Sequence, residues 1–200
     1  MRDRGAGQLF HFFAEPKSDK AGFTLIELLV VIAIIGTLSG MVLVAMTDTR
    51  AKARDARRNS DITQIRKALE LYYAEKGNYP LSGGALSPNG GWTNSNDSSW
   101  NTFATALVPY MNLPKDPINT ASGWVRSNAN TYTYTFYSLG YGCQQHWYMI
   151  SYRLEKPNMV SPGTRSCPYT GYPDGYYFNY GSTDPSSAAF GVITVGMRQK

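Results

Sequence analysis

A single carboxylate, Glu27, stands inside an otherwise uncharged run. Phe23-Thr24-Leu25-Ile26 precedes it, and LLVVIAIIGTLSGMVLVAM, from Leu28 to Met46, follows it. An acid set among so many apolar residues is costly to desolvate unless a positive or hydrogen-bonding group meets it. Upstream lies the small pair Ala21-Gly22, with Lys17 and Lys20 ahead of it. A cut after Gly22 removes the polar leader and creates an amine on Phe23. That amine is four residues from Glu27, one helical turn away, and of the right sign to pair with it.

The remaining residues of chemical interest do not combine. The chain has two histidines: His11 lies in the leader, and His146 has no cysteine or carboxylate at nucleophile or metal-ligand spacing. Neither a P-loop nor a GxGxxG is present. No catalytic constellation and no cofactor are expected, and the chain is expected not to be an enzyme. Cys143 and Cys167 match neither CxxC nor a zinc pattern. They read as a disulfide if this half lies outside the cytoplasm, or otherwise as two buried thiols.

The element that positions Glu27 is the apolar run itself, which reaches the roughly 20 residues a helix needs to cross a bilayer. A secretory signal peptide places its small-residue cleavage site after the apolar stretch; here the small pair comes before it. Basic residues flank the run on both sides, with Arg50, Lys52, Arg54, Arg57 and Arg58 downstream. Charge counting therefore leaves the orientation open. Gly36 and Gly40 form a GxxxG pair, a spacing that lets membrane helices approach closely.

The pattern then changes without a helix breaker. Ile62, Ile65, Leu69 and Tyr72 make one apolar stripe, Gly77 is placed to cap the C-terminus, and Pro80 stops continuation. One helix from about Thr24 to about Lys76 is predicted, its first half apolar and its second half amphipathic. The Arg50–Arg58 stretch reads as a solvated face touching headgroups and neighbouring subunits, with nucleic acid as the weaker alternative because Asp48, Asp55 and Asp61 dilute its charge.

Residues 81–102, rich in Gly, Ser and Asn, read as a surface loop. A short helix carrying Phe103, Leu107 and Met111 is predicted after it. Thr131 to Ser138 and His146 to Glu155 alternate as strands joined by LGYGCQQ, and shorter strands are predicted at 176–180 and 191–197. With 42% hydrophobic residues and fifteen tyrosines, such a sheet has material for a core. The tyrosine stripe reads as sheet packing, with a glycan-stacking face as the sharper alternative.

The run KAGFTLIELLVVIAIIG, Lys20 to Gly36, resembles the N-terminal signature of type IV pilins and of the pseudopilins of type II secretion. Leu113 to Pro117, LPKDP, resembles the turn between helix and sheet in pseudopilins. The resemblance implies an α+β fold: a long N-terminal helix, transmembrane in its first half and amphipathic in its second, packed on a small antiparallel β-sheet domain. It divides the chain into a leader (1–22), a membrane and filament-core helix (23–46), an amphipathic helix (47–78) and a sheet domain (79–200). It further implies cleavage by prepilin peptidase between Gly22 and Phe23, N-methylation of Phe23, and a role for Glu27 in subunit register. The implied partners are further copies in a helical filament, the peptidase, and an inner-membrane assembly platform with its cytoplasmic ATPase. The implied location is the inner membrane, then an extracytoplasmic filament. Some major pseudopilins bind calcium in a C-terminal loop; Asp174 and Asp184 are the residues here that imitate one, without its dense acidic spacing.

Overall fold

The computed structural model describes residues 22–83, 91–121, 123–137 and 142–196, excepting the side chains of 43–45. The leader thus lies outside the described residues except for Gly22, as do Ser138 at the end of a predicted strand, residues 139–141 of the predicted hairpin connection and Met197 of the last predicted strand. The chain divides into two units, Met1–Ala45 and Met46–Lys200.

Helix α1 runs Leu25–Lys76, as the uninterrupted helical pattern predicts. It stops where Gly77 takes φ +71° and donates its N–H to the Tyr73 carbonyl at 2.8 Å, a conformation a side chain with Cβ resists. In the second unit there follow β1 (Thr93–Asn94), α2 (Ser99–Leu107), a 3-10 turn (Val125–Ser127), β2 (Thr133–Tyr137), β3 (Trp147–Arg153), β4 (Thr164–Arg165), β5 (Tyr177–Phe178) and β6 (Val192–Gly196). One antiparallel sheet has the order β1-β2-β3-β6, and β4 pairs with β5 separately. The class is α+β, as predicted.

The stripe on α1 is the helix side of the core. Ile62, Ile65 and Leu69 are buried against Tyr132, Tyr134, Tyr148, Ile150 and Tyr152. These tyrosines can sit inside because each hydroxyl has an acceptor: Tyr132 donates to Asp61, Tyr152 to Asn59, Tyr134 to the Pro80 carbonyl and Tyr148 to Glu70. The helix supplies three of those four acceptors. Tyr132, Tyr134, Tyr148 and Tyr152 are thus core residues and not a glycan-stacking face.

Two expectations need correction. Residues 81–102 are not all surface loop: Thr93, Asn94, Ser95, Ser99 and Trp100 are buried. Their small polar side chains satisfy one another, with Thr133 Oγ1 donating to Asn94 at 2.7 Å and the Tyr132 N–H to Ser95 Oγ at 3.0 Å. The short helix begins at Ser99 and ends at Leu107, so Met111 lies beyond it. The alternation in β3 does not mark a solvated face, because all seven residues are buried. Trp147 and Met149, on the face away from the tyrosine core, pack with Cys143 and Phe178 in a second cluster.

Candidate functional site

The apolar half of α1 is a free surface within its own unit. Phe23 is 92% exposed, and Leu25 through Val42 presents large apolar side chains throughout. The helix is long and apolar enough to cross a membrane. Nothing lies within 4 Å of where a Cβ would stand on Gly36 or Gly40, so that side of the helix is open to a close neighbour.

Glu27 has an intrachain role that its spacing to Thr24 spells out. The Thr24 N–H and hydroxyl both donate to Glu27 Oε2 at 2.8 Å, and the Glu27 N–H reaches Thr24 Oγ1 at 3.3 Å. This reciprocal capping box satisfies donors that the first helical turn otherwise leaves without partners. The motif Thr24-Leu25-Ile26-Glu27, a threonine three residues ahead of a glutamate at a helix start, carries that signal in the sequence beside the pairing with the Phe23 amine.

The basic stretch after the apolar half is a solvated face only in part: Arg50, Lys52 and Arg57 are exposed as expected, whereas Arg54 and Arg58 turn inward. Arg58 is fully buried, and its guanidinium grips Asp116 through Nε at 2.7 Å and a second nitrogen at 3.0 Å. Its remaining nitrogen meets Asp55 and Glu155, each at 2.7 Å. Arg54 holds Glu155 in a fork at 2.8 and 2.6 Å. Asp116 also accepts the N–H groups of Ile118 and Asn119, which fixes the LPKDP turn onto the helix. Planar, bidentate pairing of this kind suits arginine and not lysine. The charges of Arg54 and Arg58 are therefore spent inside the unit, locking α1 to the turn at Asp116 and to the end of β3.

Arg54, and after it Arg58, holds the Glu155 carboxyl well below the usual range, at about 2. A depressed carboxyl contributes stability that is present above its unfolded value and lost as pH falls toward its folded one. The second unit is expected to lose stability between about pH 4.5 and about pH 2. Urea titrations across that window check this, and Glu155→Gln is expected to flatten the slope.

Cys143 and Cys167 form a disulfide. It ties the segment before β3 to the segment between β4 and β5, across 24 positions of sequence. A loop of that size gives about 2–4 kcal/mol of stabilisation. Reduction is expected to lower the melting temperature without unfolding the chain at room temperature, as followed by fluorescence of its four tryptophans.

Among the described residues no group of three or more His, Cys, Asp or Glu gathers as metal ligands. Asp184 instead accepts the N–H and hydroxyl of Ser186, at 2.9 and 2.8 Å.

Residues 17–46 match the prokaryotic N-terminal methylation motif, and residues 45–146 match the family described as type II secretion system (T2SS), protein G. The chain is similar to the type II secretion system core protein G of Pectobacterium carotovorum subsp. carotovorum, with 34% identity over 77 residues, 38% of this chain and 48% of that one. The core protein G of Escherichia coli (strain K12) is 37% identical over 65 residues, 32% of this chain and 45% of the relative. Fimbrial protein EcpC of Eikenella corrodens is 37% identical over 83 residues, 40% and 54%. The chain spans about half the length of the curated relatives it matches. No solved structure gives a significant match.

Proposed function

The chain belongs to the type II secretion system protein G family, and from that premise we propose that it is a structural subunit of an extracytoplasmic, type IV pilus-like filament. The family is structural and not enzymatic. The observation that carries the reading is a half-helix of exposed apolar residues containing one carboxylate, continuing into a unit where Arg58 locks the same helix to the sheet domain. A lipid bilayer covers such a surface before assembly, and the same half-helix of neighbouring subunits covers it afterwards.

In this reading prepilin peptidase cuts between Gly22 and Phe23, Phe23 is N-methylated, and the chain sits in the inner membrane with its second unit outside. Glu27 then accepts the amine of a neighbouring Phe23, and Gly36 and Gly40 let helices approach in the filament core. An assembly platform with its cytoplasmic ATPase drives insertion of subunits. The reading calls for no cofactor. Binding of DNA through the basic stretch is the weaker alternative, because Arg54 and Arg58 are already held by carboxylates. The family match and the protein G relatives favour a secretion filament, and the match to a fimbrial protein keeps a pilus as the second reading.

Intact mass and N-terminal sequencing of the membrane-extracted protein test the processing. The expected chain begins at N-methylated Phe23. A chain that retains residues 1–22, or one cut after Met46, overturns the filament role.

A further inference from the structure

Tyr169, Tyr172 and Tyr176 run ring against ring, with centroids 5.3 Å apart at each step, and Tyr176 continues onto Phe178 at 4.6 Å. These rings line a groove of about 700 Å³, a size typical of small-ligand sites. Tyr172 and Tyr177 are each about half exposed in it. Its lining also carries Tyr180, with the Arg126 guanidinium 5.9 Å over the ring, and the hydrogen-bonding side chains of Asn179 and Ser187.

A second positive charge lies behind one wall. Arg153 is buried on β3 and donates to the carbonyls of Val125 at 3.0 Å, Phe190 at 2.5 Å, and Ala188. Those carbonyls adjoin Arg126 and flank Ala189, both of which line the groove. Arg153 has no carboxylate partner among the described residues, and its Nε is buried without an acceptor. Carbonyl dipoles hold the guanidinium in place but leave its charge uncancelled. Among the described lining residues Arg126 alone carries a charge, and the Arg165 guanidinium stands 5.5 Å over the Tyr177 ring, so the groove offers cationic groups to a ligand.

We propose that this groove binds an acidic carbohydrate, a pyranose oligomer bearing uronic-acid carboxylates. A pyranose ring presents a C–H face to stack on tyrosine and a rim of hydroxyls to accept from the Ser187 hydroxyl, while Asn179 is held by the Ser161 carbonyl and the Gly181 N–H and shapes the wall. Its carboxylate meets the planar donors of Arg126. A proline-rich peptide would use the rings but leave the positive charge unmatched. The site does not depend on the filament role.

The test is calorimetric titration of the full-length chain in nanodiscs with hexagalacturonate. Cellohexaose serves as the neutral sugar and hexaglutamate as the anion without a sugar ring. Saturable binding of hexagalacturonate is expected, tighter than that of cellohexaose, with none for hexaglutamate. Tyr172→Ala and Arg126→Gln, both at exposed positions, are each expected to weaken it by roughly tenfold. No saturable binding overturns the proposal, as does equal binding of hexaglutamate, or binding that neither variant changes.

Discussion

Replacing Arg58 with alanine is expected to destabilise the Met46–Lys200 unit by about 3–5 kcal/mol, the usual effect of removing one partner from a buried ion pair. The guanidinium is fully buried and meets three carboxylates, two of which, Asp55 and Asp116, are themselves buried. Without it those acids face one another in a medium that strengthens their repulsion. Small domains have only about 5–15 kcal/mol to lose, so the loss is a large fraction of the whole. Urea denaturation followed by tryptophan fluorescence measures it, since all four tryptophans lie in this unit. The double substitution Arg58→Met with Asp116→Leu is expected to cost clearly less than the sum of the two single changes, because it removes the need for a counter-charge along with the charge. Additive losses would show that Arg58 and Asp116 do not act as a pair.

The second large effect concerns Glu27. Glu27→Ala is expected to leave membrane insertion intact while assembly into filaments falls by roughly tenfold or more at each subunit addition, the factor matching about 1.4 kcal/mol of lost contact. Removing an acid from an apolar helix makes insertion easier, by about 2.5–3.5 kcal/mol at mid-bilayer, so an insertion defect would not explain the loss. The capping box complicates the alanine variant, because Thr24 loses its acceptor as well. Glu27→Gln separates the two roles: it keeps an oxygen for Thr24 and removes the charge. If the charge matters, Gln assembles as poorly as Ala; if the cap matters, Gln rescues. Sheared-filament yield, set against membrane-fraction yield, reads the outcome. Normal filaments from both variants would remove Glu27 from the assembly mechanism.

What the sequence made legible was what neighbouring residues decide. The extent of α1, its stop at Gly77 and its stripe at Ile62, Ile65 and Leu69 all follow from periodicity and capping within a few turns. The alternation at Tyr132, Tyr134 and Phe136 marks the face of β2 and its lead-in that turns to the core, for the same reason. Arg58 was opaque because its partners stand 58 and 97 positions away, and a basic residue among basic residues reads as surface until those partners are known. Two-residue strands such as Thr93–Asn94 and Thr164–Arg165 are too short to carry a period. The burial of β3 on both faces escaped for another reason. Its second cover comes from segments around Cys143 and Phe178, which no local pattern ties to the strand.

The long reach of Arg58 also sets an order of events during synthesis. The amphipathic part of α1 is made early, but its last ionic partner, Glu155, is translated 97 residues later. At about 5–20 residues per second the ribosome needs roughly 5–20 s to cover that distance. Through that interval the stripe from Ile62 to Tyr72 has no sheet to cover it, and a guanidinium with only Asp55 beside it waits for Asp116 and Glu155. A chain in that state is open to premature association with its own kind, so holding subunits apart is a task that precedes, and is separate from, building them into anything.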